Sequence, residues 1–321
     1  MLIFRNLVGF LRGALASALM FMAGALVPVI GGLLMFLAPT PVLGYAVGFR
    51  RSVLRASAVV IVASGFVVFG GGPNAGMAYA IAVGIAAVSM TYMLERRLPF
   101  ERIVAVTTSL MLVVGALSAL AMAGSPQALA HALRDSLTNA IDQGQKLYKM
   151  AGLDLPVAPD LRNEMVQTSL DLMPALMAIS AALMVLANLG VFWRMSGRQL
   201  RLGYALFADL VRWSAPEWLI WALLVTGFGL FVPIPELRTI ALDCFLCVAA
   251  VYFCQGLAIM AFYFRLLAMP TLARGLVYTI TIVQPILAVM VCVAGVFDLW
   301  IDFRRLKPPP NTETRDVGNF L

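Results

Sequence analysis

The stretch from Ile103 to Ala123, IVAVTTSLMLVVGALSALAMA, decides the class of fold, because its 21 residues carry no charged side chain. An α-helix rises about 1.5 Å per residue, so this stretch would cross a hydrocarbon core of roughly 30 Å. The whole chain is 62% hydrophobic and 12% charged, with a mean hydropathy of +0.93, whereas a water-soluble domain needs a charged surface. The sequence therefore predicts an all-α, polytopic transmembrane helical bundle.

The apolar stretches and the breaks between them predict eight or nine membrane helices. They are expected at residues 8–37, 42–49, 53–69, 76–94, 103–123, 169–193, 216–232, 239–264 and 275–297. The segment 42–49 is too short to cross alone, so we expect it to be tilted or half-inserted and shielded by its neighbours. Pro28, followed by Gly31 and Gly32, predicts a kink in the first helix.

Four regions follow from this pattern. Residues 1–123 form the N-terminal membrane helices, 124–168 a loop outside the cytoplasm, 169–305 the C-terminal membrane helices and 306–321 a flexible tail. Within the loop, Leu129, Leu133, Leu137 and Ile141 repeat at helical spacing. This amphipathic helix is predicted either to lie over the bundle or in the membrane interface, or to act as a lid or partner-docking element.

Arginines concentrate in alternate loops. The arginine-bearing group comprises Arg5, Arg12, Arg50, Arg51, Arg55, Arg96, Arg97, Arg102, Arg194, Arg198, Arg201, Arg212, Arg265 and Arg274. The intervening connections 38–41 and 70–75 carry no Lys or Arg. By the positive-inside rule, the N-terminus is predicted to lie in the cytoplasm.

One conflict remains in this topology. Nine crossings from a cytoplasmic start would leave Arg304, Arg305 and Lys307 on the outer side, against the same rule. We expect the conflict to be resolved in the segment 42–49.

Catalytic motifs are missing from the sequence. It contains no P-loop, no GxSxG, no HExxH and no dinucleotide-binding glycine motif, and its single histidine is His131. Cys244 and Cys247 form a CxxC without a second pair, which favours a packing role. We therefore expect no enzyme, no cofactor and no metal site. The net charge of +7 comes from short loops, so nucleic acid is not an expected partner.

Polar side chains at membrane depth are the candidate ligand-binding residues, because burying them in lipid is costly without a partner or a cavity. This group comprises Asp243, Gln255, Gln284 and Asn188. Two interpretations of Asp243 stay open, a ligand or ion pathway and a hydrogen-bonded structural role near a helix end. The amides favour hydrogen bonds between helices, with ligand contact as the alternative.

Two further groups of residues are candidates for packing or partner contact. Ala14 and Ala18 form a small-xxx-small pair in the first helix, a pattern that lets another helix approach closely, in this chain or in a partner. Near the C-terminal end, Asp298, Trp300, Asp302, Arg304 and Arg305 are expected to form a salt-bridged anchor at the membrane boundary, or a surface for a partner.

Several motifs carry a family resemblance. GVFDLWIDFRR at 295–305, with YFCQG at 252–256 and PEW at 216–218, resembles the YybS-like family of uncharacterised bacterial multi-pass membrane proteins. This resemblance implies that the chain lies in the bacterial cytoplasmic (inner) membrane. In the N-terminal half, the segment from Pro39 to Arg51 is similar to S components of energy-coupling-factor transporters and, more loosely, to the rod-shape protein MreD. The S-component resemblance implies that Ala14 and Ala18 dock on a membrane partner.

Three hypotheses for function follow. In the first, the chain is an S-component-like protein that binds or transports a small hydrophobic or amphipathic molecule and has no ATPase of its own. In the second, it is an MreD-like envelope scaffold that positions partner membrane proteins. An intramembrane enzyme that uses carboxylates alone is third.

Overall fold

A computed structural model describes residues 2–26, 30–48, 51–150, 152, 159–196 and 213–304. These residues form helices and short connections and contain no strand, which confirms the all-α class. The chain forms two compact units, Met1–Ala208 and Asp209–Leu321, and each is described by itself. Several residues used in the sequence predictions lie outside the described residues: Pro28, Arg50, Arg198, Arg201, Arg212, Arg305, Lys307, the side chain of Arg5 and the tail 306–321.

The first unit contains eight of the described α-helices. They are α1 (Leu2–Leu26), α2 (Ile30–Phe36), α3 (Pro39–Ala46), α4 (Ser52–Tyr79), α5 (Ile85–Glu95), α6 (Phe100–Ala123), α7 (Pro126–Met150) and α8 (Pro159–Ser196), with a π-helical segment, Ala80–Gly84, between α4 and α5. Helix α1 packs on α2, α3 and α4, and α8 packs on α3 and α6. The sequence grouped α8 with the C-terminal helices, but its packing places it in the first unit.

A helical hairpin spans residues 52–95. Gly72 has φ 84° and ψ 173°, a conformation that is essentially restricted to glycine, and Pro73 then begins the returning arm. A Cβ atom built on Gly84 would lie 2.7 Å from Val60 Cγ1, although a straight helix would separate these residues by about 36 Å. The chain therefore folds back at Gly72, as the separate predicted helices 53–69 and 76–94 require.

The region predicted as one helix at 8–37 is instead divided between two helices. Helix α1 ends at Leu26, and α2 begins at Ile30. A Cβ atom on Gly31 would lie 1.9 Å from the carbonyl oxygen of Ala23, so α2 is folded tightly against the end of α1. Helices α2 and α3 together form a short apolar segment, Ile30–Ala46, that includes most of the predicted segment 42–49.

Five helices among the described residues are long and apolar enough to cross a membrane, or up to six if the bent pair Thr271–Val283 and Pro285–Ile301 is one span. The expected eight or nine is higher than this number. The difference arises because the hairpin 52–95 is one continuous run, and because Ile30–Ala46 and Leu219–Gly229 are short.

The second unit contains four described helices: α9 (Leu219–Gly229), α10 (Pro235–Leu266), α11 (Thr271–Val283) and α12 (Pro285–Ile301). The single helix predicted at 275–297 is wrong, because α11 and α12 meet at an angle of 102°. Pro285 has no backbone N–H and disfavours a helical conformation at the residue before it, and Gln284 is extended with φ −95° and ψ 107°.

The bend at Gln284 gives α12 the same direction as α10. Cys292 Sγ donates to the carbonyl oxygen of Ala249 at 3.3 Å, and Tyr263 donates its hydroxyl proton to the carbonyl oxygen of Phe303 at 3.1 Å. Arg304 therefore lies at the same end of this unit as Arg265, as the positive-inside rule requires. The charge conflict is removed here, and not at 42–49 as expected.

Candidate functional site

A cavity of about 770 Å³ lies within the first unit. Its walls come from α2, from the returning arm of the hairpin with its π-helical segment, and from α6 and α8, while α7 contributes Leu137. Exposed fractions of 38% at Met35 and 52% at Met177 show that the cavity is open to the surroundings of the chain. Its volume lies within the range of about 300 to 1,000 Å³ that is typical of sites for small molecules.

Methionine dominates the chemistry of this cavity. Seven of the 18 methionines of the chain line it: Met35, Met77, Met111, Met122, Met173, Met177 and Met184. Four uncharged polar side chains also contribute, those of Asn74, Ser118, Ser169 and Ser180, and no lining residue is ionisable. Since unbranched thioethers adapt their shape to irregular apolar surfaces, these walls suit an uncharged, largely apolar ligand.

The π-helical segment contributes three lining residues, Ile81, Ala82 and Val83. The next residue, Gly84, packs directly against Val60 on the first arm of the hairpin, where a side chain would clash. A π-turn widens the helix by one residue, and such turns occur frequently at functional sites. In this chain the π-helical segment packs against the first arm of the hairpin on one side and forms part of the cavity wall on the other.

The junction between α2 and α3 is fixed beside the cavity by two buried hydrogen-bond groups. In the first, Ser17 Oγ donates to the carbonyl oxygen of Ala38 at 2.6 Å and lies 2.6 Å from the Tyr79 hydroxyl. Because the single proton of Ser17 is used on Ala38, Tyr79 is the donor of the second bond. This group joins α1, the α2–α3 junction and the hairpin.

Asn188 on α8 forms the second group and is fully buried. Its Nδ2 donates to the carbonyl oxygens of Phe36 at 2.8 Å and Met184 at 2.7 Å, while Thr40 Oγ1 donates to its Oδ1 at 2.7 Å. A helix that ends at membrane depth leaves carbonyl oxygens that no water can reach. Asn188 satisfies that of Phe36, the last residue of α2, and so joins α2 to α8.

Helix α7 lies against α8 through polar contacts. Arg134 Nη2 donates to Gln167 Oε1 at 2.9 Å, and Arg162 forms an ion pair with Asp142. Four apolar residues of α7 are half-buried, whereas most of the other residues of this helix are exposed; the four are Leu129, Leu133, Leu137 and Ile141. The amphipathic helix of the sequence analysis is therefore present, and it places one residue in the cavity wall.

A buried polar cluster lies in the second unit. Asp298 accepts hydrogen bonds from Arg304 Nη2 at 2.6 Å and from Gln255 Nε2 at 3.1 Å. Gln255 Oε1 in turn accepts the backbone N–H of Ala215 at 3.0 Å, and Arg304 Nη1 donates to the carbonyl oxygen of Trp213 at 2.8 Å. The cluster ties α10, α12 and the segment before α9 together, which is a structural role.

The predicted ligand-binding residues do not form one site. None of the four lines the cavity: Asn188 lies at the α2–α3 junction, and Gln255 belongs to the polar cluster. Asp243 is half-buried on α10, 12 residues and so about 18 Å from Gln255 along the helix. Gln284 is exposed at the bend between α11 and α12.

The residues predicted for packing or partner contact are also separated. Ala14 and Ala18 are buried in a core cluster that includes Val59 and Ala63 of the hairpin, so this face packs within the chain. Asp298 and Arg304 are buried, with the αL residue Asp302 (φ 47°) turning the chain between them, while Trp300 is 63% exposed. Arg305 lies outside the described residues.

Sequence reasoning missed the cavity because it selected single polar side chains at membrane depth. Most lining residues are methionine, alanine, glycine, serine or an aliphatic residue, and these have no individual signature in an apolar helix. The 18 methionines of the chain were the one feature of the sequence that could have pointed to an adaptable apolar site. No group of three or more His, Cys, Asp or Glu side chains among the described residues could hold a metal ion.

The fold and the apolar cavity define a multi-pass helical membrane protein. The family model described as "Predicted membrane protein (DUF2232)" matches residues 15–299, so the chain belongs to this family of unknown function. This membership confirms the expected uncharacterised multi-pass membrane family, while the likenesses to YybS-like proteins, S components and MreD stay resemblances. No curated protein and no solved structure matches the chain.

Proposed function

We propose that the chain binds a small, uncharged hydrophobic or amphipathic molecule in the methionine-lined cavity of its first unit, as an S-component-like binding or transport protein without an ATPase of its own. The observation that carries this proposal is a cavity of about 770 Å³ with no ionisable residue in its walls. This volume and this lining match the concave, mostly apolar sites that bind small molecules.

The surroundings of the cavity support a binding role. The buried hydrogen bonds of Ser17 and Asn188 hold the α2–α3 junction in place, so the wall formed by α2 is preorganised. Helix α7 and the open side provide two candidate routes of entry. These features require no catalytic group, so the proposed role is binding without chemistry.

Copurification tests this proposal through a matched pair of variants on α6. Ala119 lines the cavity, whereas Ala121 is an exposed alanine two residues further along the same helix. We expect organic extracts of the purified wild type and of Ala121→Trp to contain a molecule in near-stoichiometric amount, as measured by mass spectrometry, and extracts of Ala119→Trp to contain at least about fivefold less. Equal recovery from both variants would contradict the proposal.

The scaffold hypothesis is the weaker alternative. Four of the residues predicted for packing or partner contact are buried within the chain: Ala14, Ala18, Asp298 and Arg304. Trp300, from the same prediction, is exposed and could contact a partner. A crosslink from Trp300→Cys to one specific membrane protein would favour the scaffold.

A further inference from the structure

We infer that the ligand of the methionine-lined cavity is a single hydrocarbon chain of a bilayer lipid, inserted with its end toward the buried Val83 and Met184. This inference rests on the proposed function and names the class of ligand. It is carried by the length of the cavity, by the absence of charge along it and by the polarity of its two ends.

The cavity is elongated along the helices. On α8 its lining extends from Ser169 to Met184, which is about 22 Å at the helical rise, and on α6 from Met111 to Met122, about 16 Å. One leaflet of a bilayer supplies hydrocarbon chains about 15 Å long, half of the roughly 30 Å core. The lining therefore has the length of one extended chain.

Charge distinguishes a lipid chain from most soluble metabolites. Over this whole length the walls offer no Lys, Arg, His, Asp or Glu side chain. One of the four polar groups, the Ser118 hydroxyl, donates to the carbonyl oxygen of Val114 in its own helix at 2.7 Å. A charged or strongly polar ligand would lose its hydration here without gaining partners, whereas a hydrocarbon chain has no polar group to satisfy.

The two ends of the cavity differ in polarity. Ser89 Oγ lies 3.3 Å from Thr107 Oγ1, so the returning arm and α6 pack side by side. Because they run in antiparallel directions, Asn74 lies level with Met122. Ser169 lies at this same end, two residues from Gln167, which binds Arg134 of α7. At the other end Val83 and Met184 are buried and apolar. An amphipathic lipid therefore fits with its headgroup toward α7.

Photo-crosslinking of the full chain tests the inference. The probe is phosphatidylcholine with a diazirine at the end of one acyl chain, present as a minor component of vesicles of phosphatidylethanolamine and phosphatidylglycerol. Lipids at the outer surface of the protein can reach Met290, which is 62% exposed on α12, but not Met184, which is 8% exposed. Labelling of Met184 therefore reports chain insertion, and labelling of Met290 reports surface contact.

We expect Met184 to be labelled in the wild type and in Ala121→Trp. We expect its labelling to fall at least about fivefold in Ala119→Trp while labelling of Met290 is unchanged. Gly115→Leu is a second blocking variant, since a Cβ atom at Gly115 would meet nothing within 4 Å and the fold is not disturbed. A diazirine placed near the glycerol is expected to label Asn74 and Ser169 instead.

Labelling confined to exposed residues would overturn the inference. If the copurification experiment still yields a non-lipid molecule that Ala119→Trp displaces, the lipid inference fails and the proposed function stands. If neither experiment separates Ala119→Trp from Ala121→Trp, both fail.

Discussion

Arg304 donates a hydrogen bond from Nη2 to Oδ2 of Asp298 at 2.6 Å, and both side chains are buried in the second unit. Removing one partner leaves the other charge buried and unpaired, which typically costs about 3 to 5 kcal/mol, whereas replacing both is often tolerated. We therefore expect Asp298→Leu to destabilise the protein strongly and Asp298→Leu with Arg304→Leu to recover much of the loss.

Thermal unfolding of the detergent-solubilised chain measures this effect. The control is Glu217→Leu, which removes an exposed carboxylate of the same unit and should change the melting temperature little. A double variant whose loss of stability equals the sum of the losses in Asp298→Leu and Arg304→Leu would show that the pair is not coupled.

Thr40 connects the α2–α3 segment to α8 through Asn188. We expect Thr40→Val to lower the free energy of unfolding by about 1 kcal/mol, because a buried amide oxygen loses its donor. The matched control is Thr226→Val on α9, where the hydroxyl binds the carbonyl oxygen of Ala222 in its own helix. Unfolding by added denaturing detergent compares the two, and equal effects would contradict an anchoring role for Asn188.

Gly72 forms the turn of the hairpin with a positive φ. A side chain there is expected to cost about 1 to 3 kcal/mol, so Gly72→Ala should lower the melting temperature. Gly65→Ala on the first arm is the matched control: its Cβ would meet nothing within 4 Å, and alanine favours a helix by about 0.5 to 1 kcal/mol. A Gly72→Ala protein as stable as the wild type would exclude a tight reversal at this residue.

Gly295 lies at the closest contact of α10 and α12. A Cβ atom there would be 2.0 Å from the carbonyl oxygen of Tyr252, so we expect Gly295→Ala to separate the helices and to destabilise the second unit by several kcal/mol, within the range for overpacking. Gly275→Ala on α11 is the control, because its Cβ would meet no atom within 4 Å. Fluorescence-detected size exclusion after heating compares the two variants.

Topology provides a further prediction. The positive-inside rule and the shared direction of α10 and α12 predict that Glu101, Ala268 and the C-terminus face the cytoplasm and that Gln127 faces the other side. The experiment starts from a chain in which the four native cysteines are replaced: Cys244, Cys247, Cys254 and Cys292. A single cysteine is then placed at Glu101, Gln127 or Ala268, and a membrane-impermeant thiol reagent shows which side of the membrane it faces. A reporter fused to the C-terminus locates that end of the chain. Opposite sides for Ala268 and the C-terminus would contradict the arrangement of α12.

Much of the fold could be predicted because lipid imposes strong local rules. An uncharged run such as 103–123 has to be helical, and Gly70–Ala75 with its Pro73 marks a reversal that both sequence and structure place between two helices. The break at Gln284 was missed even though Pro285 was visible. Proline is tolerated within some membrane helices, so only the packing of α12 beside α10 decided the angle.

The candidate site was harder to predict for a different reason. Sequence reasoning selected Asn188 and Gln255 because polar groups are costly in lipid, and the structure places both residues in hydrogen-bonded junctions that hold helices together. The cavity is lined by residues that are ordinary in any membrane helix. A space between helices depends on how they pack, and no local pattern encodes it.

The sequence by itself therefore determined the class of the protein, its helical content and the polar residues that had to find partners, since each follows from the cost of exposing charge or backbone to hydrocarbon. Tertiary structure alone decided which partners they found, that Ala14 and Ala18 pack inward, and that seven methionines converge on one cavity. These outcomes depend on contacts between residues far apart in the chain, such as Thr40 with Asn188, whose geometry is set only when the helices pack.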